Sequence, residues 1–349
     1  MRNETREKWD QYIARQAELN SISPDAVTKN FNVAPSVAQT LEDKVQQSSD
    51  FLQKINVVSV PEQEGEKIGL GINGPLASTS DSTTDRRNPR SVHTLEDNGY
   101  RCEKTNTDTF ISYAQLDMWG KFKDFQTRIT NQIIRRRGLD RITVGFNGTL
   151  RAAKSDLAAN PLLQDINIGW LEKYRQHAPQ RVMKNVTITS RDDENKIIAK
   201  GDYGNLDSLA FDATSNLLDE WNKGSLDLVV ICGRNIVTSK DFAIINAISA
   251  SNPNSEALAG KLLVASKTIG NMPSYIAPFF PDGAMLITPF KNLSIYWQEA
   301  KHRRMIKEEP ELNRIATYES SNDAYVVEDY GFGCLIEGIA FAKAPGATE

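Results

Sequence analysis

Hydrophobic positions recur at two periods along this chain and divide it into segments. Trp9, Tyr12, Ile13 and Leu19 fall roughly on one stripe, which predicts an amphipathic helix over residues 4–20. Pro24 and Pro35 break that pattern and leave a flexible, accessible strip between them. Ser36 then starts a second helix, with Gln39 three residues later as a capping box and Val37, Leu41, Val45, Phe51 and Ile55 along its apolar side. "INVVSV" follows as a strand. Leu116, Trp119, Phe122, Phe125, Ile129 and Ile133 recur at three- and four-residue steps, and Leu139, Ile142 and Phe146 continue them. Residues 115–147 therefore read as one long helix, roughly 45 Å at 1.5 Å per residue. Leu206, Leu209, Ala213, Leu217 and Trp221 predict another amphipathic helix. "LDLVVICG" reads as a buried strand, "TSKDFAIINAI" as helix, and "MPSYIAPFFP" and "AMLITPFKNLSIYW" as strand-rich. "RIATYESSNDAYVVEDYGFGCLIEGIAF" reads as a long pair of strands, and "KAPGATE" as a loose tail.

In "EKIGLGI", Ile68, Leu70 and Ile72 alternate with Lys67, Gly69 and Gly71, a period of two. Gly69, Gly71 and Gly74 also spell G-x-G-x-x-G. A dinucleotide loop needs a helix to begin at once and aim its N–H groups at the phosphates. Here Pro75 and Leu76 follow, then a polar run rich in turn formers, and no Lys-Ser/Thr completes a P-loop. The glycines suit a strand lying close against another backbone. With "YRCEKTNTDTFISYAQLDMW" they make an outsized hairpin with a long polar tip. A two-stranded hairpin is marginal alone in water, so it is expected to rest on a neighbouring subunit.

Composition adds mostly exclusions. Hydrophobic content of 40% and charged content of 25% are ordinary for a soluble globular chain of 349 residues, long enough for two domains or one elaborated domain. The net charge of −4 gives no global basic signal for nucleic acid. Cys102, Cys232 and Cys334 are scattered and odd in number, so reduced thiols in a cytoplasmic setting are expected, with Cys232 a small buried hydrophobe. His93, His177 and His302 lack metal-ligand spacing. The pairs Asp192-Asp193, Glu308-Glu309 and Glu328-Asp329 read as solvated loop and strand-end charges. Arg135-Arg136-Arg137 reads as a solvated helix face, with an acidic neighbour or a phosphate as the sharper alternative. No run has the length of a membrane span, and "MRNETREKWDQY" is no signal peptide.

Several long strings carry a resemblance that runs nearly end to end. They are "ETREKWDQYIARQAELN", "PSVAQTLEDKVQQSSDFLQKIN", "GEKIGLGINGPLAS", "NPLLQDINIGWLEKYRQHAPQRVM", "DLVVICGR", "DGAMLITPFKNLSIYW", "HRRMIKEEPELNR" and "YESSNDAYVVEDYGFGCLIE". The chain resembles the major capsid proteins of Peduovirus-type tailed phages. The resemblance implies an α+β fold, the Johnson fold shared with herpesvirus capsids. It implies residues 1–31 as a segment removed on maturation, with the junction at Phe31 and Asn32, and 32–64 as an arm. It implies 65–113 as the E-loop hairpin and 114–205 as a peripheral (P) domain with the spine helix 115–147. It implies 206–300 as an axial (A) domain, 301–328 as the return to the P domain, and 329–349 as the A-domain end and tail. The E-loop residues expected between subunits are Gly69, Gly71, Gly74, Arg86, Arg87 and Arg90. The implied function is a self-assembling shell of pentamers and hexamers around double-stranded DNA, built in the host cytoplasm. Its implied partners are other copies of itself, a scaffolding protein and maturation protease, a portal protein, and DNA held by weak contact. No catalysis, cofactor, metal or membrane is expected. An encapsulin-type compartment, with the same fold around enzyme cargo, is the alternative. Some relatives of this fold weld their subunits through a Lys–Asn bond. Between Lys67 and Lys104 this chain has no lysine, so a non-covalent shell is expected.

Overall fold

The computed structural model describes residues 1–67, 77, 79, 86, 99–119, 125–191, 196–237 and 268–342. Two sheets share one core. The first is seven-stranded, built on the 14-residue strand β17 (Arg314–Val327). Strands β15 (Leu293–Gln298) and β16 (Arg303–Glu309) run antiparallel to β17, and β2 (Asn56–Val60) runs parallel to β15. Two short strands, β5 (Glu103–Asn106) and β6 (Thr109–Ser112), also pair with β17, while β1 (Phe31–Asn32) pairs with β16. The second sheet is six-stranded: β12 (Thr268–Ile269), β13 (Met272–Ile276), β11 (Val229–Cys232), β14 (Met285–Thr288), β18 (Cys334–Glu337) and β7 (Val182–Lys184), in that order. Three two-stranded ladders complete the set. They are β3 (Glu64–Gly65) with β4 (Tyr100–Arg101), β9 (Ser190–Arg191) with β10 (Ile197–Ala199), and β8 (Thr187–Ile188) with β19 (Ala340–Phe341).

The apolar runs of the second sheet are continuous because both of its faces are covered. Ile231, Leu286 and Leu335 point to one core, whereas Val230, Cys232, Met285, Ile287, Cys334 and Ile336 point to the other. The second face is closed by α7 (Leu206–Leu217), capped by Asn205 and Ser208 in a reciprocal box. The first is shared with Leu293, Ile295, Tyr325 and Val327 of the large sheet, so one core bonds the two sheets. Between them lie α5 (Phe125–Asn147) and α6 (Trp170–His177). The fully buried Trp170 ring presses on α5, and its Nε1–H donates to the Ser294 carbonyl at 3.0 Å. A Cβ on Gly145 would stand 2.1 Å from that ring, so the glycine is what lets the two helices meet.

The N-terminal segments differ from expectation in detail. Helix α1 (Asn3–Leu19) forms as predicted. The Pro24-to-Pro35 stretch is not a loose strip. It holds a 3-10 turn over Pro24–Thr28 with Val27 fully buried, and then β1. The second helix, α2 (Pro35–Gln47), uses Pro35 at its first position and Ala34 as its cap, so no capping box forms at Ser36. Gln39 instead donates to Asp43, one turn on, at 2.8 Å. A short α3 (Asp50–Lys54) leads into β2. The spine is helical over α4 (Tyr113–Trp119) and α5, and residues 120–124 lie outside the described ones. Helix α7 stops at Leu217, which leaves Trp221 off its apolar stripe and half exposed. The outsized hairpin is visible at its root, β3 with β4. Beyond the root, residues 103–106 and 109–112 are strands of the large sheet.

Candidate functional site: a charge cluster and the surfaces around it

Helix α5 carries Arg137 and Arg141 one turn apart on a face turned inward. They meet Glu42 of α2 and the alternate residues Glu319, Ser321 and Asp323 of β17, which share one side of that strand. Arg137 donates to Glu319 at 2.6 Å, to Glu42 at 3.1 Å and to the Ser321 hydroxyl at 3.0 Å. Arg141 donates to Glu42 and, at 3.0 Å, to Asp323. Arg304 closes the far side of Glu319 at 2.9 Å, and His302 Nε2 lies 2.7 Å from the same carboxylate. Three arginines thus balance three carboxylates, and Glu42 is only 1% exposed. Burial alone would push the Glu319 carboxyl up. Arg304, His302 and Arg137 overcome this and hold it far below its ordinary 4.5. Burial likewise opposes ionisation of Glu42, and Arg141 with Arg137 again wins and lowers it. Glu42 and Glu319 therefore stay ionised, and the cluster binds arm, spine and sheet together.

The arginine triplet is thus not one solvated face. Arg136 is exposed and pairs with Asp140 at 2.8 Å, whereas Arg137 is inside the molecule. The acidic pairs are also more engaged than the sequence implied. Glu308 accepts both Arg6 nitrogens and the Tyr113 hydroxyl, Glu309 accepts from Arg314 and Tyr318, and Glu328 accepts from Ser294 and Tyr296. Asp192 and Asp193 lie outside the described residues.

Among the described residues, no group of His, Cys, Asp and Glu is placed to hold a metal. Burial pushes the thiols of Cys102, Cys232 and Cys334 up to about 12, so they are poor nucleophiles. No helix of the described residues is long and apolar enough to cross a membrane. At the hairpin root, the Lys67 ammonium sits 4.4 Å over the Tyr330 ring. Of the expected inter-subunit residues, Arg86 is exposed, and Gly69, Gly71, Gly74, Arg87 and Arg90 lie outside the described residues. Phe31 and Asn32 stand in register with Arg304 and Arg303 at the edge of the large sheet. Several large apolar side chains face water, notably Leu226 at 98% exposure, Phe211 at 69% and Phe110 at 60%.

A family model described as phage major capsid protein, P2 family, matches residues 8–339. This chain belongs to that family. Across 98% of its length it is 54% identical to the major capsid protein of Serratia phage KSP20, of which it covers 99%. Over 97% of its length it is 48% identical to the capsid proteins of Escherichia phage P2, covering 95% of that chain. Its fold superimposes on a chain of the satellite phage P4 procapsid including size determination (Sid) protein. The TM-score is 0.77 at 44% identity, with 98% of this chain and 99% of that one covered. The P2-family subunit is thus a major capsid protein with the Johnson fold. It is a structural component of the virion shell, and the encapsulin alternative falls away.

Proposed function

We propose that this chain forms rings of five and six copies that close into an icosahedral head around double-stranded DNA, assembled in the host cytoplasm. The observation that carries the reading is the full-length likeness to a procapsid chain, joined to apolar residues a lone subunit leaves in water. Head-to-tail contacts of this kind close into rings when the rotation permits. In this reading the large sheet with α5 is the P domain, and the second sheet with α7 is the A domain that gathers around the ring axes. That moves β7 (Val182–Lys184) out of the expected P bounds 114–205 and β15 (Leu293–Gln298) out of the expected A bounds 206–300. The tip of the 65–113 hairpin, with Gly69, Gly71, Gly74, Arg86, Arg87 and Arg90, reaches over the next subunit, while its residues 103–106 and 109–112 stay in the subunit's own large sheet. A scaffolding protein guides closure, a portal takes one vertex, and a maturation protease cuts at Phe31–Asn32. Residues 1–31 precede that junction, and the arm 32–64 follows it. Cryo-electron microscopy of particles from the expressed chain tests this. Closed shells with five- and six-fold rings are expected, and monomers or open sheets under all conditions would overturn it.

A further inference from the structure

The first thirty-one residues have an apolar seat of their own. Trp9, Tyr12, Ile13, Ala17, Val27 and Phe31 cover Ile111, Tyr113, Leu116, Ile306 and Ile315, with Leu116 fully buried beneath them. Polar contacts fix the register. Arg6 grips Glu308 with two hydrogen bonds of 2.7 and 2.8 Å, and the Tyr113 hydroxyl donates to the same carboxylate. The Arg2 amide donates to Asp117 at 2.8 Å, and Arg304 donates to Gln16 at 3.1 Å. The junction is held from both sides: Phe31 and Asn32 pair with β16, the Val33 amide donates to the His302 carbonyl, and the Ala34 amide donates back to the Asn20 side chain at 3.0 Å.

We propose that the face of Ile111, Tyr113, Leu116, Ile306 and Ile315 is a peptide-binding site whose ligand is the chain's own segment 1–31, so that hydrolysis at Phe31–Asn32 nicks the subunit without releasing the segment. The nick rests on the protease step of the proposed function; the docking does not. Hydrolysis adds one water across the amide, leaving a carboxylate on Phe31 and an ammonium on Asn32. The new carboxylate arises in register with Arg304 and beside Arg303 of β16. All other contacts of the segment survive the cut. What is lost is the covalent link, and with it the high effective concentration that link supplies.

The full chain with a specific endoprotease sequence inserted between Phe31 and Asn32 tests the docking directly. After cutting, the segment is expected to co-elute in equal amount with 32–349 on gel filtration. Arg6→Glu, which sets two carboxylates against each other, is expected to release several-fold more of it. A segment that elutes alone while 32–349 keeps its helical signal overturns the proposal, as does a precipitate of 32–349 with the segment left in solution. In particles matured with the phage protease, mass spectrometry is expected to find 1–31 and 32–349 together. Particles holding 32–349 without the segment overturn retention in the shell. A subunit still beginning at Met1 counts against the protease step, and the engineered cut then decides the docking by itself.

Discussion

Glu42 is the arm's single contribution to the buried charge cluster, and two arginines depend on it. Replacing one partner of a buried pair strands the other, so Glu42→Gln is expected to cost about 3 kcal/mol in urea unfolding of the soluble subunit. The pH dependence follows from the depressed carboxyls. Glu42 and Glu319 ionise more readily folded than their ordinary 4.5. Their contribution is therefore complete above that value and is lost as pH falls through the folded values. Thermal midpoints are expected to hold at neutral pH and drop below about pH 4, with a shallower drop in Glu42→Gln. A drop of the same steepness in both proteins would remove Glu42 from the acid response. Gly145 offers a separate residue-level test. A methyl group there would overlap Trp170, so Gly145→Ala is expected to destabilise by about 1–3 kcal/mol despite alanine's better helix propensity. An unchanged or higher midpoint would show that α5 and α6 can separate freely.

Some elements are completed within the subunit, and in the proposed reading the hairpin is completed by a neighbour. Strand β15 is buried at every position and α6 is pinned by Trp170, so both belong to the subunit's own stability. The hairpin is different, because its root is only two residues paired with two. Deleting residues 76–95 is expected to leave a soluble subunit with the same urea midpoint that no longer forms shells in the electron microscope. Shells of normal size from this deletion would take the hairpin out of assembly.

At the scale of the whole molecule, the shell is expected to be held by many non-covalent contacts. Arg86, Arg87 and Arg90 carry planar guanidinium groups, which suit bidentate pairing and are poor nucleophiles. Boiled, reduced capsids are therefore expected to run as single-subunit bands on denaturing gels, and a ladder of multimers would contradict this. The net charge of −4 also suits a wall that holds DNA loosely. Isolated subunits are expected to show little duplex binding at physiological salt, and a salt-resistant submicromolar affinity by fluorescence anisotropy would reverse that reading.

The sequence by itself determined the helices and strands wherever one hydrophobic period ran unbroken. The stripe on α1 and the runs "LVVIC" and "MLIT" each reflect burial repeated at a fixed spacing, which local order alone encodes, whereas the alternation at 68–72 lies outside the described residues. It also determined the family, because long strings in fixed order outlast any local ambiguity. Only the tertiary structure decided what a charge means. Arg136 and Arg137 are adjacent and chemically identical, yet one is solvated and the other is buried against Glu42 and Glu319, from segments 95 and 182 residues away. The period-two spacing of Glu319, Ser321 and Asp323 was a readable hint of one shared strand face, but it carried no word of which helix would lie over it. The same limit hid the seat of segment 1–31. Two prolines read locally as a break, and the burial of Val27 and the pairing of Phe31 come from a sheet whose strands lie some 270 residues further on. Ionic and apolar partners at such separations are selected by packing, and packing is a property of the folded chain.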